Sequence, residues 1–215
     1  MINFLATIRD EADRILEPWV AVVIRHRKTI RLIVAVGIVL SIVLLAYPVG
    51  RRFYGQLAWL LFLVILFLSP VAQISRSKTL GALMLFRREA GILMGILAIE
   101  HGWLFFARQG IALSFILEKE FWMTKNGLTS VGWGMAALVL TMPLLITSNN
   151  FSMRILKGNW KKLHRLAYVV LILIALHIVF VKRDFSQALV IIFVYATIKT
   201  LAVSGWKLPE SQVSA

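Results

Sequence analysis

No cysteine occurs among the 215 residues. That absence excludes a thiolate-ligated iron–sulfur cluster, a C-x-x-C-H covalent haem attachment and any disulfide. Acidic residues are scarce too: ten Asp and Glu stand against 24 Lys and Arg, a formal net charge of +14. So basic a chain suggests nucleic acid. The basic residues, however, sit in the gaps between apolar segments, where the positive-inside rule puts them in membrane proteins, and nucleic acid is discounted as a partner. Also missing is any polar stretch long enough for a soluble domain. With 60% of residues hydrophobic and a mean hydropathy of +0.82, apolar runs use nearly the whole chain and leave no room for a dinucleotide-binding domain. The seven methionines follow no ligand spacing and read as packing. As transition-metal ligands that leaves histidine, of which there are four.

Residues 1–29 mix Ile2, Phe4, Leu5, Ile8, Ile15 and Leu16 with Arg9, Asp10, Glu11, Asp13, Arg14 and Glu17. The charges interrupt any apolar signal core, so this segment reads as an amphipathic helix lying at the membrane interface rather than a signal peptide. Six apolar segments follow, at about residues 30–49, 56–74, 89–107, 128–146, 160–181 and 186–204, each long enough to span a bilayer. The expected fold is therefore all-α: a polytopic six-helix transmembrane bundle over residues 30–205, with a short tail at 206–215. Alternating the sides puts 17 of the 24 basic residues with the two termini. Both termini are accordingly expected in the cytoplasm, for instance of a bacterial inner membrane. The connection from Arg108 to Gly127 then faces outward, as a short helix on the outer surface.

The histidines fall into a pattern. His164 and His177 stand thirteen residues apart in WKKLHRLAYVVLILIALHIVFV, which at ~1.5 Å per residue separates them by roughly 20 Å along a helix. That spacing suits one site in each half of a membrane whose core is ~30 Å thick. His101, in FRREAGILMGILAIEHGW, lies as far beyond Arg87 and Arg88 as His177 lies beyond the cytoplasmic end of its own segment. His101 and His177 thus share a level, and two imidazoles on neighbouring helices can take both axial positions of a haem iron. His26 sits in the basic cluster Arg25, Arg27, Lys28 and reads as a headgroup-facing side chain. Glu100 is an acid at membrane depth, suited to a proton relay, a substrate contact or an interhelical hydrogen bond.

The run T-S-N at 147–149, the run W-K-K-L-H-R-L-A-Y at 160–168 followed by the second His, and R-R-x-x-G…H in the third segment together resemble the ferric reductase-like transmembrane family. Within that family the chain is most similar to MsrQ-type haem-binding subunits of bacterial methionine sulfoxide reductase systems. The resemblance implies haem b, one or two copies, and electron transfer across the membrane from a cytoplasmic donor to an outer-face acceptor. The donor would be a separate cytosolic reductase carrying FMN or FAD, or membrane quinol, and the acceptor an outer-face reductase subunit. Carried over residue by residue, His101 and His177 match the outer haem pair and His164 an inner axial ligand.

Where many relatives have a second inner histidine, this chain has Arg87 and Arg88. Three arrangements stay open: an Arg on the haem propionates beside a five-coordinate iron, a ligand from elsewhere, or no inner haem. On a straight helix, a spacing of thirteen leaves His164 and His177 about 140° apart around the axis. A π-bulge, supercoiling or two different facing helices would resolve that phase. Two other functions fit the sequence: a stand-alone ferric-chelate reductase, and a transporter or structural membrane protein whose histidines only bridge helices.

Overall fold

In the computed structural model, the structure describes residues 2–44, 51–110, 112–124 and 127–209. Eleven α-helices follow one another: α1 (Ile2–Arg25), α2 (Arg27–Leu44), α3 (Arg51–Ser75), α4 (Lys78–Leu83), α5 (Arg87–Gln109), α6 (Lys119–Trp122), α7 (Ser130–Ile146), α8 (Asn150–Leu156), α9 (Gly158–Leu163), α10 (Leu166–Lys182) and α11 (Ser186–Val203). Among the described residues, four helical stretches are long and apolar enough to cross a membrane: α3, the run α4–α5, the run α9–α10, and α11. The pair α7 and α8, bent by 89° at its break, makes a fifth if taken as one span. The chain is thus an all-helical polytopic membrane protein. Of the first expected span, α2 covers residues up to Leu44, while Pro48 and Gly50 lie outside the described residues.

Local chemistry sets these boundaries. Thr129 caps α7 by accepting from the Gly132 amide, and Asn149 caps α8 by accepting from Ser152. Gly110 ends α5 in the left-handed region at φ 62°, where a residue without Cβ is unstrained. Pro70 and Pro143 sit inside α3 and α7 rather than ending them.

Two departures from the sequence reading matter. The fifth segment is not one straight helix: α9 stops at Leu163, His164 and Arg165 form a turn, and α10 restarts at Leu166. The break lies between His164 and His177, so the thirteen-residue spacing is not that of one uninterrupted α-helix. In the connection from α5 to α7, the short helix α6 is joined by a two-residue antiparallel ladder pairing Met123 with Leu128 and Thr124 with Gly127. Its backbone is closed by the Thr129 amide donating to the Trp122 carbonyl at 2.8 Å. A stretch that reads as apolar then charged carries no period from which so short a ladder could be read.

The bundle rests on two intimate pairs, α3 with α5 and α7 with α10. The pairs meet where Gly95 and Gly102, two turns apart on α5, receive Leu145 and Leu138 of α7. In a bilayer, helix association depends on such close packing, because lipid is as apolar as the side chains. A core of Phe62, Leu66, Met94, Leu144, Val170, Leu171 and Tyr195 fills the middle of the bundle.

At one end, α1 is tied to the α3–α4 turn and to the C-terminal segment. The Asp13 carboxylate accepts from Ser77 Oγ at 2.6 Å and from the Lys78 and Thr79 amides at 3.0 and 3.2 Å. Arg9 donates to the carbonyls of Ser75 and Pro209, and the Leu208 amide donates to the Ile74 carbonyl. Burial pushes the Asp13 carboxyl up and is the largest single influence, yet the bonds from Ser77, Thr79 and Lys78 together hold it below the ordinary carboxylate range. A carboxyl whose pKa is depressed on folding contributes its stability above the unfolded pKa and loses it as pH falls through the lower folded value. Asp13→Asn should therefore speed hydrogen exchange at Lys78 and Thr79 at neutral pH by roughly threefold, a small effect because the site is exposed. Acidifying the parent below the carboxylate range should lower the protection factors of the same amides, once the slower intrinsic exchange at low pH is divided out, and those of the Asn variant should not change with that acid step.

Candidate functional site

His101 projects from α5 and His177 from α10, one from each helix pair. Their ring centroids lie 6.4 Å apart with ring planes at 75°. For comparison, two imidazoles sharing one metal ion through metal–nitrogen bonds of ~2.0 Å have centroids roughly 6 Å apart. The rings stand at the spacing a shared metal requires.

Behind each ring stands a glycine of the partner helix. A Cβ built on Gly55 of α3 would lie 2.8 Å from both Cε1 and Nδ1 of His101. One built on Gly134 of α7 would lie 2.7 Å from Nδ1 and 2.9 Å from Cε1 of His177. Each imidazole is thus seated in a notch where no side chain fits. Neither glycine was singled out in the sequence, although a glycine inside an apolar helix costs about 1 kcal/mol against alanine and so asks for a reason.

The proton on His177 can be placed. Its Nδ1 lies 2.6 Å from the Ser130 carbonyl, and a carbonyl only accepts, so Nδ1 carries the hydrogen. The neutral ring then keeps its lone pair on Nε2, the arrangement by which a backbone carbonyl orients a metal-bound histidine. No sequence signal could reveal this partner, because a carbonyl is common to every residue.

Both histidines line a cavity of about 520 Å³, within the ~300–1,000 Å³ typical of cofactor sites. Its walls are largely apolar, with Trp59, Met94, Phe105, Leu138, Ile174 and Ile191 among them, and Arg52, Gln56, Lys182 and Gln187 at one end. Among the described residues, no three His, Cys, Asp or Glu side chains converge as a metal site. The donor set is therefore two facing imidazoles in an apolar slot, which fits a macrocycle that brings its own equatorial ligands.

The other residues singled out in the sequence lie elsewhere. Glu100 is buried on α5, 3% exposed, near Tyr54 of α3. His26 is exposed in the turn between α1 and α2. His164 is a bundle length from the pair: its Nε2 meets Thr147 Oγ at 3.1 Å, and Trp160 stacks on its ring at 3.9 Å. Arg87 stands near His164, Tyr168 and Tyr195. Arg88 donates to Asn150 at 2.6 Å and to Glu89 at 3.1 Å, and Glu89 also binds Arg31 at 2.8 Å. That network clamps α2, α5 and α8 together.

Residues 54–175 match the family model described as ferric reductase like transmembrane component. Among curated proteins, the protein-methionine-sulfoxide reductase heme-binding subunit MsrQ of Brucella anthropi is 32% identical over 134 residues, 62% of this chain and 57% of that protein. The MsrQ of Rhizobium meliloti is 59% identical over 44 residues, 20% of each chain. The magnetosome protein MamZ of Magnetospirillum gryphiswaldense is 30% identical over 140 residues, 61% of this chain and 20% of that protein. The matches thus span from a fifth to rather more than half of these relatives. No solved structure matches the chain significantly. With the family model covering more than half of its length, the chain belongs to the ferric reductase-like transmembrane family.

Proposed function

We propose that this chain is the membrane subunit of an oxidoreductase. It would bind haem b between His101 and His177 and carry electrons from a cytoplasmic donor to an acceptor at the outer face. The single observation that carries this reading is the pair of imidazoles at 6.4 Å, each backed by a glycine, in an apolar cavity. Relatives named as heme-binding subunits of methionine sulfoxide reductase support it. So an outer-face partner of that kind is part of the proposal, as is a donor that is either a cytosolic flavoprotein or membrane quinol.

When bound, the haem supplies a one-electron carrier; the protein's own residues decide where and how it is held. His101 and His177 furnish the two nitrogens. Ser130 fixes the proton of His177 on Nδ1 and stops the ring from turning. Gly55 and Gly134 let each ring lie close against the opposite helix, and the apolar walls keep water out. Arg52 and Lys182 give the mouth two cations suited to carboxylates.

The proposed topology has six spans with α2 as the first, α1 at the interface, the haem domain over residues 30–205 and both termini cytoplasmic. It rests on the basic asymmetry and on the bonds that gather α1, the α3–α4 turn and the C-terminal segment at one end. Protein purified from membranes should carry haem with a Soret band, and reporters fused at Gly127 and after the last residue should mark opposite sides. A colourless preparation removes the redox reading, and reporters on one side remove the assigned direction.

A further inference from the structure

Proton bookkeeping separates His164 from His177. Thr147 Oγ lies 2.6 Å from the Pro143 carbonyl and 3.5 Å from the Leu144 carbonyl. Both of these only accept, so the single hydroxyl hydrogen points to Pro143. The hydroxyl oxygen can then meet His164 Nε2 at 3.1 Å only as an acceptor. It follows that His164 Nε2 carries a hydrogen, and a protonated nitrogen has no lone pair for iron. Thr147 also stands where the metal would have to be.

The surroundings are closed in the same sense. Trp160 stacks on the His164 ring at 3.9 Å, and its own Nε1 donates to the Thr147 carbonyl at 2.9 Å. The position that would supply a second ligand is held by Arg87, whose guanidinium has no lone pair to offer and which lies near Tyr168 and Tyr195. Val170 and Leu171, the next turns of α10, are 0% and 4% exposed and pack with Leu144, Leu66 and Phe62.

We propose that His164 is not a haem ligand but the pin of a structural corner. It would lock the bend between α7 and α8 against the break between α9 and α10, so that the chain carries one haem, the one between His101 and His177. The inference rests on the haem assignment made above for that pair. The bend after α7 and the turn from α9 to α10 meet through one residue triad, Thr147, Trp160 and His164, which gives the histidine a task without a metal.

The test is a pyridine haemochrome count on the purified full chain, on His164→Ala and on Thr147→Val, with His101→Ala as control. The expected ratio is near one haem per chain in the parent, unchanged in His164→Ala and Thr147→Val and lost in His101→Ala. Melting temperatures should fall in both corner variants, and His164→Ala with Thr147→Val together should melt no lower than the worse single variant, because they remove one shared interaction. A parent ratio near two, or haem lost from a folded His164→Ala, overturns the proposal. The parent count needs no variant and stands even if the corner variants fail to fold. Full haem in His101→Ala would instead sink the underlying assignment.

Discussion

His177→Ala should strip the protein of haem while leaving the bundle folded, and His101→Ala should do the same to a similar extent. The two rings are the only facing pair at this cavity, at 6.4 Å, and neither has a histidine neighbour that could substitute. Loss of one leaves a five-coordinate or empty site. Substitutions that merely disturb a ligand's supporting partner cost about 10–100-fold in metal affinity, so removing a ligand outright should exceed that. Folding survives because the ring lies in a cavity rather than in the close-packed core of Phe62, Leu66 and Val170. Haem-to-protein ratio and far-ultraviolet circular dichroism, read together, separate the two effects. Free imidazole added to the alanine variants should restore part of the spectrum by entering the space the side chain vacated. A variant that keeps its full haem would show that its histidine only bridges helices.

The second large effect belongs to residues that do no chemistry. Gly134→Ala would place a methyl 2.7 Å from His177 Nδ1, and Gly55→Ala would place one 2.8 Å from the His101 ring. In a protein whose histidines were only packed, the cost would be small, since an imidazole is the end of a flexible side chain and can rotate away. Held between an iron and the Ser130 carbonyl, the His177 ring cannot rotate without giving up one of them. Gly134→Ala should therefore reduce haem affinity on the order of 10–100-fold, with helix content unchanged or slightly raised. Haem titration of the apoprotein measures it. Equal affinity in parent and variant would mean that the ring is free to move and that the notch has no bearing on ligation.

Much of this was legible in the sequence, for physical reasons. Apolar segments long enough to span are set by bilayer thickness, and the structure's candidate spans fall on them. The shared level of His101 and His177 followed from counting residues from the charged ends of two helices. The break at His164 was not legible: W-K-K-L-H-R-L runs without glycine or proline into an apolar segment, and the Thr147 contacts to His164 and Trp160 come from the end of a different helix. Nor could sequence show that Ser130 offers its carbonyl to His177, or that Gly55 and Gly134 face rings rather than lipid. Each depends on which helices pair, and pairing is written in shape rather than in period. Arg87 and Arg88 look alike in the chain, yet Arg88 is engaged by Asn150 and Glu89 while Arg87 turns toward Tyr168 and Tyr195.

The central claim is that His101 and His177 together hold one iron, and the ring geometry gives it a direct spectroscopic consequence. Were His101 and His177 to hold a ferric haem with their rings still crossed at 75°, its low-spin state would be strongly anisotropic, whereas parallel rings would give an ordinary rhombic signal. Electron paramagnetic resonance of the oxidised, purified protein should therefore show a low-spin ferric signal of the strongly anisotropic kind, absent from His101→Ala and from His177→Ala. A high-spin signal alone, or a low-spin signal that persists in either alanine variant, would contradict it.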